Sequence, residues 1–451
     1  MITSRAFAGK KYAVLGLARS GLSAVESLLA SGAEVMAWDN RNEPREVLEG
    51  RVEIADPVSA DLTGCEAVVV SPGVPLNSHP IAEAAARAGV PVIGDIELFA
   101  RARPDLPAHR VVGITGTNGK STTTSLVAHL LRSAAVPVTM AGNIGVPILD
   151  QKPLAAGGVY VLELSSYQID LTRSLDCDVA ALLNITPDHL DRYGSFEAYA
   201  ASKARLFDML GAGHVAVFGT GDEETATVAR SQSRRGDLKA CIVADGAEIA
   251  PLQADWPTLQ GPHNLQNAAV AVGIVASLGL SPSQWERALP RFRGLPHRME
   301  RVAEADGVLY INDSKATNPA SAAPALAAFP PSPGPSGPTP RIHWILGGLP
   351  KGDSLDECRP WFGNIAAAYT IGDAGPLFAD ILEPYTRVRR SEMLANAVRE
   401  AMAAARPGDV VMLSPACASF DQFRDFEARG DQFRQIVEAL LEPQARAREC
   451  G

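Results

Sequence analysis

The chain has 451 residues, 46% of them apolar and 20% charged, enough apolar material for about three buried cores at roughly 150 residues per domain. Its formal charge of −10 argues against a broad basic face, so no nucleic-acid partner is expected. Small anionic substrates remain compatible with that average, because a few local cations outweigh it at close range.

The lead "MITSRAFAGKKYAVLG" passes from a short polar stretch into a strand, so no secretory leader is expected. No apolar run approaches the ~18 residues needed to span a bilayer. Cys65, Cys177, Cys241, Cys358, Cys417 and Cys450 form no C-x-x-C pair and no regular spacing, which points to reduced thiols. A cytoplasmic globular protein without membrane insertion is expected.

The elements fall into three blocks, each an α/β unit. In residues 1–100, "YAVLGL" and "EVMAWD" are strands flanking a helix from about Ser20 to Ser31, and "AVVVSPG" and "PVIGD" are later strands. This alternation predicts a Rossmann-like parallel sheet. "GLARSG" (16–21) opens the helix, and Asp39 closes the second strand near the ~20-residue offset at which an acid holds a ribose. That is the pattern of an NAD site, but Ala18 puts a methyl group where the pyrophosphate should approach. The residues leave a module for some nucleotide diphosphate. The "SPGVP" turn (71–75) either adds backbone donors there or is structural.

Residues 101–299 hold "RVVGITG", "VYVLELSS" and "DVAALLNIT". "GITGTNGKST" (113–122) departs from G-x-x-x-x-G-K-[ST], with Ile114 where a glycine is wanted. Even so, a strand precedes it and the helical "STTTSLVAHLL" follows. Gly116 and Gly119 permit the tight turn, Lys120 suits terminal phosphates, and Ser121 suits Mg2+. Glu163 ends an apolar strand, where an acid is rare unless paired or bound to metal, so it fits Mg2+ beside Ser121. "TPDHLDRYG", with Asp188, His189 and Asp191, follows the third strand, and parallel sheets gather ligands beyond such ends. On "SFEAYAASKARLFDML", Phe196, Tyr199, Lys203, Phe207 and Leu210 share one face. A lysine in that stripe either snorkels to water or is buried with a lowered pKa; the residues alone favour snorkelling.

Residues 300–451 repeat the strand-to-polar-loop pattern in "VLYINDSKATN", "RIHWILGG" and "DVVMLSPACAS". "FPPSPGPSGPTP" (329–340) is too proline-rich for helix or sheet and is expected to be a mobile surface loop. Cys417 has no evident base beside it.

Eight segments then occur in order: "GTNGKST", "AGNIG", "ELSSYQ", "NITPDHLDRYG", "HN-x-x-N" (263–267), "GLPHRME", "NDSKATN" and "LSPACASFDQF". Together they resemble the Mur ligase family over essentially the whole chain, and the last two resemble its D-glutamate-adding members. The resemblance implies three domains: a Rossmann-like domain (1–100) for the UDP end of the substrate, a central P-loop ATPase-type domain (101–299), and a Rossmann-like C-terminal domain (300–451) for the amino acid. It implies a monomer that phosphorylates the carboxylate of UDP-N-acetylmuramoyl-L-alanine with ATP and couples it to D-glutamate. Gly116, Thr117, Asn118, Gly119, Lys120, Ser121 and Thr122 would bind ATP with Asn264, Asn267, Arg298, Asp313 and Lys315. Two Mg2+ ions are implied, one on Ser121 and Glu163, the other on His189 and Lys203, the lysine as its carbamate. This reverses the snorkelling reading. Leu17, Ala18, Asp39, Asn40, Arg41, Ser71 and Gly73 fall on the UDP side, and Asn143, Ser165 and Gln168 on the muramoyl-alanine side. Thr317, Lys351, Ser419 and Phe426 fall on D-glutamate. The residues taken alone make each asparagine a cap or turn and Phe426 core packing. An NAD oxidoreductase and a regulatory nucleotide-binding module are the competing functions.

Overall fold

The computed structural model describes residues 1–333 and 337–449, with side chains through residue 442. Cys450 and residues 334–336 of the proline-rich segment lie outside the described residues. Ser332 and Thr339 exchange backbone hydrogen bonds of 2.9 and 2.8 Å, so that segment stands on an antiparallel bridge. The chain divides into two compact units, residues 1–255 with 262–292, and residues 256–261 with 293 onward.

The first unit carries two parallel sheets. One contains β1 (Lys11–Leu15), β2 (Glu34–Trp38), β3 (Glu53–Ile54), β4 (Cys65–Val70) and β5 (Val92–Ile93), in the order β3-β2-β1-β4-β5. The other contains β6 (His109–Thr115), β7 (Val138–Gly142), β8 (Gly158–Glu163), β9 (Val179–Leu182), β10 (Val215–Phe218) and β11 (Ala240–Val243), in the order β11-β10-β9-β6-β8-β7. Every residue of β8 and β9 is buried, which is why these strands read as unbroken apolar runs. The strand order of the first sheet reverses between β1 and β4, and that of the second between β6 and its neighbours. Ligands gather at such reversals, beyond the carboxyl ends.

Six helices of this unit position the site: α1 (Arg19–Ala30), α2 (Asp95–Ala102), α3 (Lys120–Ser133), α4 (Ser166–Asp170), α5 (Phe196–Asp208) and α6 (Pro262–Ser277). Glu97 of α2 clasps the turn after α4, accepting the Arg173 and Ser174 amides at 2.8 and 2.9 Å and the Ser174 hydroxyl at 2.9 Å. Arg19 Nη2 reaches Gly145 O at 2.6 Å. These contacts fix the loops of the two sheets against each other.

In the second unit, β12 (Glu300–Ala305), β13 (Val308–Asn312), β14 (Ile342–Gly347), β15 (Ile365–Ile371), β16 (Arg387–Glu392) and β17 (Val410–Leu413) form the order β12-β13-β17-β14-β15-β16. All pairs are parallel except β12–β13, an antiparallel edge that the sequence reading did not anticipate. None of its residues is fully buried and three of them are charged, which suits an edge strand half in water.

Asp95, at the start of α2, is buried with neither carboxylate oxygen hydrogen-bonded among the described residues. Burial pushes it up to about 6, the dipoles of the nearby Ile96 and Asp95 amides opposing the rise only in part. The folded protein therefore keeps a proton that the unfolded chain sheds near pH 4, and stability falls as pH rises from about 4 through about 6. Asp95→Asn should gain urea resistance relative to the parent at pH 8 but not at pH 4; an equal difference at both pH values would remove this account.

Candidate active site

The loop after β6 is built on backbone geometry. Gly119 caps α3 at φ +82°, and a Cβ there would fall 2.2 Å from Asn267 Oδ1. Glycine is thus required twice over, and Asn267 of α6 closes on the loop. The other wall is the segment after β9. Thr117 N donates to Asn184 O at 2.9 Å, Asn118 N to Asn184 Oδ1 at 2.8 Å, and Asn184 Nδ2 returns to Asn118 O at 3.1 Å. Asn184 was not among the residues expected from sequence; its one signal was its place at the head of "NITPDHLDRYG".

Two lysines meet at this loop. Lys120 Nζ donates to Gly116 O at 2.9 Å and Thr117 O at 2.8 Å, and Lys203 Nζ donates to the same Gly116 O at 2.9 Å. Lys203 is 1% exposed, so it does not snorkel. Burial, aided by the neighbouring Lys120 charge, holds its ammonium well below the usual lysine range. The amphipathic pattern of α5 did predict this face, since Tyr199, Lys203, Phe207 and Leu210 are all buried on it. The pattern could not tell a stem reaching water from an ammonium sealed under a loop.

Glu163 ends β8, level with Ile114 of β6. It is 2% exposed; Oε1 accepts Asn143 Nδ2 at 3.0 Å, and Oε2 has no hydrogen-bond partner among the described residues. Asn143 N also donates to Glu163 O at 2.8 Å, and a Cβ on Gly142 would lie 2.2 Å from that oxygen. Ser121 is buried at the start of α3. His189, at φ +53°, lies 5.0 Å from the Tyr167 ring and 6.1 Å from the Tyr199 ring, over which Lys203 Nζ sits at 4.7 Å. Tyr199 OH lies 3.2 Å from Thr117 Oγ1, so a residue read only as apolar stripe joins loop, lysine and histidine. The ends of β8, β6 and β9 thus bring Glu163, Lys120, Lys203 and His189 into one region. Ser165 and Gln168 form a capping box at the start of α4, which engages the Ser165 hydroxyl and Gln168 Oε1.

In the first sheet, Gly16 takes φ +86°, and Ser71 Oγ donates to its carbonyl at 2.8 Å. Asp39 accepts Leu17 N at 2.7 Å and Arg41 N at 3.0 Å. Burial alone would raise Asp39, but these donors and the Arg41 guanidinium outweigh it and hold the carboxyl below its usual range. The Leu17 side chain is in the core, so only its backbone faces the loop. Ala18, Asn40, Arg41 and Gly73 are exposed. Ala18 caps α1 without a side-chain hydrogen bond, leaving the helix amides open.

In the second unit, the loops after β13, β14 and β17 gather around Arg429 of α7 (Phe426–Glu449), which is fully buried. Its guanidinium donates to Ser314 Oγ and O at 3.0 and 2.9 Å, Cys417 O at 3.1 Å and Ala418 O at 3.1 Å. Lys351 Nζ lies 3.5 Å from Thr317 Oγ1, and Ser419 is buried in the third loop. Phe426 is half-buried, not core, and carries Lys315 Nζ at 4.0 Å over its ring. Asp313 accepts Ser414 Oγ at 2.8 Å and Met299 N at 3.1 Å, and burial pushes it up to about 7 despite these donors and the Arg298 charge. Cys417 is buried, its thiol pushed up to about 12 by burial, which makes it inert.

Comparison with known proteins matches the MurD-like N-terminal domain of Mur ligases at residues 10–94, the Mur ligase middle domain at 114–242, and the Mur ligase glutamate ligase domain at 297–417. A UDP-N-acetylmuramoylalanine–D-glutamate ligase of Novosphingobium aromaticivorans is 68% identical, the match covering 98% of this chain and 97% of that one. The enzyme of the same name from Sphingopyxis alaskensis is 59% identical over 98% of this chain and all of its own. Among solved structures, the Thermotoga maritima MurF ligase in complex with ADP aligns with a TM-score of 0.59 at 17% identity, covering 97% of this chain and 96% of its own. MurC of the same organism aligns at 0.56 and 18% identity, over 95% and 99% of the two chains; both likenesses concern the fold. With three successive domain matches and a relative 68% identical from end to end, the chain belongs to the Mur ligase family.

Proposed function

We propose that this protein is an ATP-dependent ligase joining D-glutamate to UDP-N-acetylmuramoyl-L-alanine in cytoplasmic peptidoglycan precursor synthesis. The observation that carries the reading is the joining of Lys120 and Lys203 at the Gly116 carbonyl, on the loop after the strand whose Ile114 pairs with Glu163, in a chain 68% identical to a ligase of that name. A carboxylate does not expel its own oxygen, so the alanyl carboxylate first attacks the γ-phosphorus of ATP and ADP leaves. The D-glutamate amine then attacks the acyl carbon, the C–N bond forms, and phosphate departs with the C–O electrons.

The first step drives anion against anion, and the cations at the loop after β6 offset that repulsion. Lys120 turns from the loop carbonyls to the terminal phosphates, which the amides of Gly119 to Thr122 cradle while Asn184 holds Thr117 and Asn118 in place. Among the described residues no three His, Cys, Asp or Glu side chains group closely enough to hold a metal by themselves. That suits Mg2+, which binds through one or two carboxylates completed by phosphate oxygens and water. The partnerless Glu163 Oε2 and the buried Ser121 hydroxyl fit one such ion, His189 and the carbamate of Lys203 a second, and each would supply charge neutralisation. Burial lowers the Lys203 pKa and so favours the unprotonated amine, the form that adds CO2 at its nitrogen.

Residues 1–100 hold the UDP end at the open amides of α1, using Leu17, Ala18, Asp39, Asn40, Arg41, Ser71 and Gly73. Asn143, Ser165 and Gln168 hold the muramoyl-alanine part. Residues 101–299 bind ATP, with Asn264 and Asn267 against the loop and Arg298, Asp313 and Lys315 on the nucleotide. Residues 300–451 hold D-glutamate, Lys351 and Thr317 pairing with a carboxylate beside Ser419 and Phe426.

ADP and phosphate should appear only when UDP-N-acetylmuramoyl-L-alanine and D-glutamate are both present; release with L-lysine or diaminopimelate and not D-glutamate would reject the assignment. Lys203→Ala should lower turnover about a hundredfold or more. Added formate or acetate should restore part of it by standing in for the carbamate, whereas a loss that no short carboxylate relieves would leave the lysine as a structural cation.

A further inference from the structure

Arg192 makes a set of contacts that the reaction just described leaves unused. Its guanidinium carbon lies 4.3 Å above the centroid of the Tyr167 ring, which itself packs 5.0 Å from the His189 ring and 6.0 Å from the Tyr193 ring. Asp188 and Asp191 stand in the same loop, yet Arg192 pairs with neither. Asp188 instead takes the His189 amide at 2.9 Å and lies 3.5 Å from its ring. The arginine backbone is fixed on both sides, its amide donating to His189 O at 3.0 Å and its carbonyl accepting Asn77 Nδ2 at 3.1 Å. A guanidinium lying flat on a ring keeps its in-plane N–H edge available, and among the described residues no acceptor occupies it.

The placement is informative. Through Asn77 the residue touches the turn after β4, through Tyr167 the helix that carries Gln168, and through its own loop it is tied to His189. The residue thus joins the turn after β4, in the sheet that carries the α1 amides, to α4 and the His189 segment of the sheet that carries the loop after β6. A half-buried cation steadied by an aromatic face, and left unneutralised by two carboxylates within reach of its own loop, is prepared to receive an oxyanion from outside.

We propose that Arg192 is a substrate-binding residue that grips an oxyanion of the UDP-linked substrate through two parallel N–H···O bonds. The proposal rests on the ligase reading given above. The oxyanion is the alanyl carboxylate or the diphosphate, which present the same paired oxygens.

The test uses the full-length protein, its R192A and R192K variants, and two probes, UDP-N-acetylmuramoyl-L-alanine and its alaninamide, which keeps the diphosphate but lacks the carboxylate. Both variants should raise the KM for the acid roughly tenfold or more, as expected for losing a charge-assisted pair. The KM for ATP and D-glutamate and the unfolding temperature should stay as in the parent. Lysine should fail to rescue, since an ammonium offers no planar fork. Weakened binding of the acid alone assigns the carboxylate; equal weakening of acid and amide assigns the diphosphate. An unchanged KM in both variants, or a loss that tracks a lowered unfolding temperature and returns with lysine, overturns the proposal. Failure of the parent protein itself to bind the acid would instead strike the ligase reading.

Discussion

Two lysine nitrogens donating to the same carbonyl oxygen of Gly116 are the constraint around which the first unit is organised. Lys203 is sealed from water there, and burial beside the Lys120 charge disfavours its protonated form. The arrangement persists because the loop beneath it has little freedom. Asn184 holds Thr117 and Asn118, Asn267 leaves no room for a Cβ at Gly119, and fully buried strands lie on either side of β6. The positions of both nitrogens are thereby set by the fold itself. Glu163 adds the complementary feature, one oxygen fixed by Asn143 and the other left open. Glu163 ends β8, Lys120 opens α3 after β6 and Lys203 comes from α5, so sheet and helices together set their positions.

The first sheet illustrates how a nucleotide-binding topology is used without the chemistry its sequence first suggests. Asp39 sits where a dinucleotide enzyme would place a ribose acceptor, yet its oxygens take the amides of Leu17 and Arg41. It shapes the loop that Ser71 braces from the neighbouring strand. With Ala18 providing no side-chain cap, the amides of α1 are what the loop presents. Those amides favour a diphosphate regardless of the nucleoside attached to it.

In the second unit the corresponding organiser is Arg429. Removing a guanidinium from water costs several kcal/mol, and here four oxygens from two loops offset it. No carboxylate is among them, so the cation acts as a rivet between the 314 and 417–418 turns. Gly348 completes the join, since a Cβ there would lie 2.3 Å from Ala418 O and 3.1 Å from Arg429 Nη1. Thr317, Lys351 and Ser419, distant in sequence, owe their common position to these three turns.

The sequence alone determined what is carried by local order: strands that alternate with helices, a glycine loop ahead of Lys120 and Ser121, an acid ending an apolar strand, and eight segments in a family's order. These depend on neighbours a few residues apart, where spacing and side-chain type carry the physics. Only the tertiary structure decided whether Lys203 reaches water or lies sealed under Gly116, since both leave the same helical stripe. It alone also revealed that Asn184 clamps the loop, that Asp39 is occupied by backbone amides, and that Arg192 rests on Tyr167 in preference to the acids beside it. Each of these turns on which groups from separate strands meet and on how much water remains between them, and burial of that kind is a property of the packed fold, absent from any short stretch of chain.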